Sequence, residues 1–214
     1  MQKCLIIGDG HIPGHAFLFE RWNSYDLIIA CDGAANFLLA HDLYPDVIIG
    51  DMDSFNPARV NDTDGILTIE QADQNTNDLE KALIHARKNS VTHVEIAGAL
   101  GKRIDHTLKN ISVLKQFNSF FDHLSFEDEF GSSFIMPPEW EAELPLGTVI
   151  SLAPIDGDVS GISTHGLKYT LNNESLACGI RDGSSNHSVS KRVKITAEKG
   201  ALLLFVGHHL PLKK

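Results

Sequence analysis

The stretch Val47-Ile48-Ile49-Gly50-Asp51-Met52-Asp53-Ser54 decides how the chain is read. An apolar run fit for a buried strand meets a glycine, where backbone can approach a ligand closely, then two aspartates one residue apart and a serine. Asp51 and Asp53 can offer hard oxygen ligands to a divalent cation, and magnesium is usually held by one or two carboxylates together with water and substrate phosphates. The same residues also suit a plain acidic turn, because Asp and Gly are favoured there for hydrogen-bonding and dihedral reasons. The neighbouring strand ends decide between the two.

Outward from this stretch, the first half alternates short continuous apolar runs with helical spacing. Strands are expected at 3–7, 26–31, 46–49, 65–69 and 93–97, with the unbroken hydrophobicity of a parallel sheet covered on both faces. Helices are expected at 16–22, 34–41, 78–88 and 106–117. In the third, Leu79, Ala82, Leu83 and Ala86 share one face, and Asn77 with Glu80 makes a capping box. In the fourth, Leu108, Ile111 and Leu114 form the buried stripe. After Phe121 the texture changes to short segments broken by Gly, Pro, Asn and Asp, with strands expected at 124–126, 133–136, 148–154, 166–171 and 201–206. The fold class is therefore α/β: a doubly wound, mostly parallel sheet over residues 1–122, followed by an all-β sandwich over 123–214.

Ligands of open α/β sheets bind beyond the carboxyl ends of the strands. After the first expected strand comes Gly8-Asp9-Gly10, and after the second Asp32-Gly33-Ala34-Ala35-Asn36. The opening stretch supplies the third loop, Asp73 to Asp78 the fourth, and Gly98-Ala99-Leu100-Gly101-Lys102-Arg103-Ile104-Asp105-His106 the fifth. Every loop on one rim carries Gly, Asp or Asn, which scattered turns would not arrange. Gly8-Asp9-Gly10 taken singly reads as an ordinary connection. No glycine cradle of known spacing is present: Gly98 to Lys102 falls two residues short of a P-loop, and Gly8 to Gly14 does not fit G-x-G-x-x-G.

A formal net charge of −10, with no dense run of Lys and Arg, excludes the electrostatic footprint of a nucleic-acid binder. Cys4, Cys31 and Cys178 are odd in number and widely spaced, which argues against a disulfide framework and a zinc site. The apolar stretch before Gly8 is too short for a signal peptide or a membrane span, so a cytosolic chain with no membrane partner is expected.

The blocks Asp32 to Asn36, Pro45 to Ser54, Asp73-Gln74 with Asn77 to Ala82, and Gly98 to Thr107 resemble, in order and spacing, the thiamine pyrophosphokinase family; Gly183-Ser184-Ser185-Asn186 resembles its Ser-Asn segment. The resemblance implies an ATP-binding catalytic domain at 1–122 and a thiamine-binding β-sandwich at 123–214. It also implies a homodimer with sites at the interface and Mg2+-dependent transfer of a diphosphoryl group from ATP to the thiamine hydroxyl, releasing AMP. Carried over by position, Asp51, Asp53 and Asp78 hold the metal, with Asp32 a further candidate to complete the acidic cluster, and together with Arg103 the three form the catalytic set. Asp32, Asn36, Gln74, Arg103, Asp105 and His106 lie at the nucleotide, and Ser184, Ser185 and Asn186 meet thiamine. Lys102, Asn77 and His187 depart from the family pattern, where Gly, Thr and an acidic residue are usual.

Plainer roles stand beside these. Asp46 reads as a turn residue at the start of a strand, Asp105 equally as a helix N-cap, and Trp140 as sandwich packing. Lys81 reads as a solvated helix charge unless the fold turns it into the cleft. Two rivals remain open at this stage: a diphosphokinase for another heterocyclic alcohol such as a hydroxymethylpterin, and a non-catalytic nucleotide- or thiamine-binding module.

Overall fold

The computed structural model describes residues 2–56, 65–73 and 75–208, in two compact units, Met1–Glu129 and Phe130–Lys214. In the first unit the strands are β1 (Lys3–Ile7), β2 (Leu27–Cys31), β3 (Val47–Gly50), β4 (Leu67–Glu70), β5 (His93–Ala97) and β6 (His123–Glu127). All pair in parallel, in the order β6-β5-β1-β2-β3-β4. The chain steps outward from β1 to β4 and then returns to the other side of β1. The strand order therefore reverses between β1 and β5, the place where such sheets open a crevice.

Successive strand residues point to opposite faces. On one face Leu5, Ile7, Ile28, Ala30 and Ile48 pack with Leu18 of α1 (His15–Trp22) and Leu38 of α2 (Ala34–Leu39). The alternate residues Cys4, Ile6, Ile29, Cys31 and Ile49 are also buried, and α3 (Asp78–Lys88) packs against β1, β2 and β3. Helix α3 keeps its expected span: Leu79, Ala82, Leu83 and Ala86 are buried, and Asn77 and Glu80 exchange both capping-box hydrogen bonds at 2.9 Å.

Helix α4 (Ile104–Phe117) differs from expectation. It starts two residues earlier, and its buried side chains are Val113, Leu114 and Phe117. Leu108 is 61% exposed and Ile104 71%, because only the C-terminal half of α4 lies against the sheet, where it meets β6. β6 itself, grouped by texture with the second half, pairs in parallel with β5 and lies in the first unit.

The second unit is all β, built from β7 (Gly131–Ile135), β8 (Glu139–Glu143), β9 (Val149–Pro154), β10 (Val159–His165), β11 (Glu174–Leu176), β12 (Gly183–His187), β13 (Arg192–Thr196) and β14 (Leu202–Gly207). They pair antiparallel in two groups, β12-β9-β14-β7 and β11-β10-β13-β8. Ile150, Leu152, Leu202 and Leu204 of the first group share one hydrophobic cluster with Val159, Ile162, Val193 and Ile195 of the second. Trp140 packs against that cluster, its ring 6.2 Å from Phe134.

The expected strand at 166–171 is absent. Gly166 has φ +81, a side chain there would collide with the Arg192 carbonyl, and the segment forms one isolated β-bridge, Leu167 to Ser188, in place of a ladder. Strands β8, β10, β11, β12 and β13 were not anticipated.

Candidate active site

β2 and β3 are parallel neighbours with Cys31 beside Ile49, so Asp32 and Asp51, just beyond the strand ends, emerge side by side. Asp78 joins them as the first residue of α3, its place set by the Asn77 cap. Carboxylate oxygens of Asp32, Asp51 and Asp78 all lie within 4.8 Å of one another. Gly50 makes this approach possible, since a Cβ there would sit 2.7 Å from Asp32 Cβ and 3.3 Å from Asp78 Oδ1.

Asp32 is 4% exposed and adopts φ +35, a conformation costly for a residue with a Cβ. Its carboxylate accepts the N–H groups of Ser54 (3.1 Å) and Phe55 (2.8 Å), tying the third loop to the second. Burial pushes its carboxyl above the usual value, against the lowering effect of those two N–H groups. Lys81, 2% exposed, reaches Asp78 Oδ1 at 3.0 Å. The fold thus turns this lysine into the cleft, and the signal in the sequence was its spacing three residues after Asp78. The donor set is entirely carboxylate oxygen, the ligand type of magnesium, calcium or manganese. Burial keeps the nearby Cys31 thiol protonated, so sulfur takes no part.

Asp53 lies on the same rim, exposed and outside the trio, with Oδ1 accepting the Ser54 hydroxyl at 2.8 Å. Between the two aspartates Met52 is left-handed (φ +63) and packs into the core, so the chain turns sharply from Asp51 to Asp53. Asn36 does not line the cleft: its amide donates to Ser54 O (2.8 Å) and accepts from Asn56 N–H (2.9 Å), bracing the third loop. Asp46 likewise serves the backbone, accepting the Ile28 N–H at 2.7 Å.

The cleft has a volume of about 710 Å³. Asp32, Asp51, Asp53 and Asp78 line it, as do Lys102 and Arg103 of the fifth loop and His106 in the first turn of α4. Arg103 is the backbone N-cap of α4 and grips Asp105 through two hydrogen bonds, Nε to Oδ1 at 3.1 Å and a shorter one from Nη2 to Oδ2. The guanidinium holds the Asp105 carboxyl down to about 2. Asp105 is therefore neither the N-cap nor a cleft residue; it orients the arginine. Asp9, in the loop that alone read as an ordinary connection, also lines the cleft. Gln74 lies outside the described residues.

In the second unit Ser184 and Ser185 are exposed on β12, and Ser185 is left-handed (φ +57). Asn186 is buried and occupied: Oδ1 accepts the Tyr169 N–H at 3.1 Å and Nδ2 donates to Tyr169 O at 2.7 Å. Its side chain fixes Tyr169, whose ring meets His187 edge-on at 6.4 Å.

A parallel α/β unit with an acidic cleft at its switch point, followed by an all-β unit, defines a two-part α/β and all-β protein of the kind that binds small molecules at strand ends. Residues 18–124 match the family model of the thiamin pyrophosphokinase catalytic domain, and residues 137–202 that family's vitamin B1 binding domain. The chain is 30% identical over 206 residues to thiamine pyrophosphokinase 1 of Oryza sativa subsp. japonica, covering 83% of this chain and 77% of that one. It is 27% identical to the thiamine pyrophosphokinase of Bacillus subtilis over 85% and 87% of the two chains. Among solved structures, the Bacillus subtilis thiamine pyrophosphokinase superposes with a TM-score of 0.83 at 25% identity, over 98% and 100% of the chains. The yeast thiamin pyrophosphokinase shares the fold with a TM-score of 0.84 at 19% identity, over 96% and 86%. The chain belongs to the thiamin pyrophosphokinase family.

Proposed function

We propose that the chain transfers a diphosphoryl group from ATP to the hydroxyl of thiamine, giving thiamine diphosphate and AMP. The observation that carries this reading is the Asp32–Asp51–Asp78 cluster in a cleft at the switch point, in a chain whose two parts match the catalytic and vitamin B1 binding models of one family. The doubly wound part, expected over 1–122 and extended by β6 as far as Glu129, is then the ATP-binding catalytic part, and the all-β part that follows, expected over 123–214, the thiamine-binding part.

A hydroxyl attacking the β-phosphorus meets a polyanion, so the work left to the protein is positioning and charge neutralisation. Asp51, Asp53 and Asp78, with Asp32 beside them, would hold Mg2+, which when bound supplies charge neutralisation on the triphosphate. Lys81 keeps Asp78 oriented toward Asp32 and Asp51. Arg103, pre-aligned by Asp105, donates to phosphate oxygens, and His106 shapes the same loop. Asn36 and Gln74 support the nucleotide side. Ser184 and Ser185 offer hydroxyls to the thiamine pyrimidine, and Asn186 holds β12 and Tyr169 in place for them. An acidic cleft also favours thiamine, whose thiazolium is a permanent cation.

The active form is a homodimer with sites at the interface, working in the cytosol. Exposed Ile104 and Leu108, one turn apart on α4, support a self-association face; no helix among the described residues is long and apolar enough to cross a membrane. The vitamin B1 binding match favours thiamine over a pterin alcohol. AMP release from ATP should require both thiamine and magnesium. AMP formed with a hydroxymethylpterin and not with thiamine would transfer the reading to that rival, and nucleotide binding without turnover on any alcohol would make the chain a binding module.

A further inference from the structure

The loops at the switch point are fastened backbone to backbone. Gly10 N–H donates to Gly98 O and His11 N–H to Leu100 O, each at 2.6 Å. Side chains at Gly8 or Gly10 would collide with the Gly98 carbonyl, so glycine is needed for this approach. The fastening sets Asp9 of the first loop against Lys102 of the fifth, with Nζ 3.0 Å from Oδ1, on side chains 53% and 57% exposed.

Lys102 also has φ +52, directly after Gly101 at φ +77. A non-glycine residue is disfavoured there, so the lysine occupies a position that glycine would fill without strain. An ion pair this exposed contributes little and does not by itself account for the residue. The other basic side chains at the cleft are differently placed. Lys81 is buried on Asp78, Lys109 pairs with the buried Glu80, and Arg103 is held by Asp105 two residues away in its own loop. Lys102 alone among them spans from one rim loop to another through a weak, solvated contact.

We propose that Lys102 is a nucleotide-affinity residue: its ammonium rests on Asp9 in the ligand-free chain and exchanges to a phosphate oxygen when the polyphosphate tail enters. This rests on the ATP reading above and adds a cation to it. While resting, the lysine masks Asp9, which would otherwise repel the incoming anion. After exchange it makes a charge-assisted hydrogen bond, stronger than a neutral one and flexible enough to follow the phosphates.

The test is ATP binding to the full chain in magnesium by titration calorimetry, with KM values for ATP and thiamine. Lys102→Met should weaken ATP by about tenfold, at the low end for hydrogen bonds to charged groups, and leave the thiamine KM in place. Asp9→Asn, which frees the lysine, should tighten ATP by about threefold, within the range of an exposed pair. The two substitutions thus act with opposite sign; a merely structural brace between loops would make both weaken binding and both lower the melting temperature. Lys102→Gly should keep or raise the melting temperature while weakening ATP as Lys102→Met does. Added salt should weaken ATP binding more steeply in the parent than in Lys102→Met. Parent-like ATP affinity in Lys102→Met would overturn the lysine's role alone, whereas a parent chain that binds no ATP would overturn the functional reading and this role with it.

Discussion

Asp32 shows what a single residue contributes to the cleft. Its carboxyl is buried and raised above the usual value, so in the metal-free fold the ionised form is disfavoured. The sign follows: Asp32's contribution to metal-free stability is fully present below its unfolded value of about 3.9 and is lost as pH rises through its higher folded value. Above that value a cation relieves the strain. Magnesium should therefore raise the melting temperature at pH 7, in line with the roughly 2.7 kcal/mol that a ligand at a hundredfold its Kd provides. The increment should begin to shrink on acidification while pH is still above the ordinary carboxylate value. An increment unchanged from pH 7 to 4 would remove Asp32 from the metal's surroundings. Asp53 gives a contrasting expectation, because it is exposed, its carboxyl touching, among the described residues, only the Ser54 hydroxyl and the carboxyl of Asp32. Asp53→Asn should leave the metal-free melting temperature in place while cutting kcat by at least about a hundredfold, the scale of losing one electrostatic contact to the reacting groups. Near-normal turnover in that variant would take Asp53 out of the metal set. Lys81 carried little warning in sequence, since a charge on a helix is usually solvated; only burial where α3 packs on β2 and β3 makes it an internal partner of Asp78.

Helix α3 was fully readable because local rules agree with tertiary packing: the capping box fixes its start, the 3.6-residue period fixes its buried face, and Asp78 falls in its first turn. Asn77→Ala should cost about 1 kcal/mol of stability in denaturant unfolding and weaken magnesium binding as well, since the same cap places Asp78. Leu83→Ala should cost about 2–5 kcal/mol with the ATP KM unchanged, separating the helix's packing role from its placing role. Helix α4 was half readable. Its apolar period extends over Ile104 and Leu108, but the sheet ends before that stripe does, and the sequence carries no mark of where a neighbour stops. In the second unit β8 and β13 were missed for a reason of charge. Glu139, Glu141, Arg192 and Lys194 make cross-strand ion pairs, Arg192 with Glu141 and Lys194 with Glu139, on the solvent side of a two-strand ladder. Alternating charge reads as loop until the partner strand is known. β10 was hidden for a different reason, a left-handed Gly161 (φ +70) lodged against Glu198 that breaks the strand pattern.

At the scale of the whole molecule, the order β6-β5-β1-β2-β3-β4 brings loops far apart in sequence to one rim. A homodimer should appear in sedimentation as twice the mass of one chain, and Leu108→Glu should shift it toward monomer; a parent that sediments as a monomer would remove the shared-site arrangement. The sequence by itself determined the parallel strands, the strand-end loops, the cap of α3 and the carboxylates, because each rests on local propensity, periodicity or residue chemistry. Tertiary structure alone decided that carboxylate oxygens of Asp32, Asp51 and Asp78 converge within 4.8 Å with Asp53 outside that trio, and that Asp9 faces Lys102 across the switch point. It also decided that Asn36 and Asn186 spend their amides on backbone. These depend on which strand lies beside which and on where glycine lets two backbones meet, relations between distant segments that no local pattern encodes.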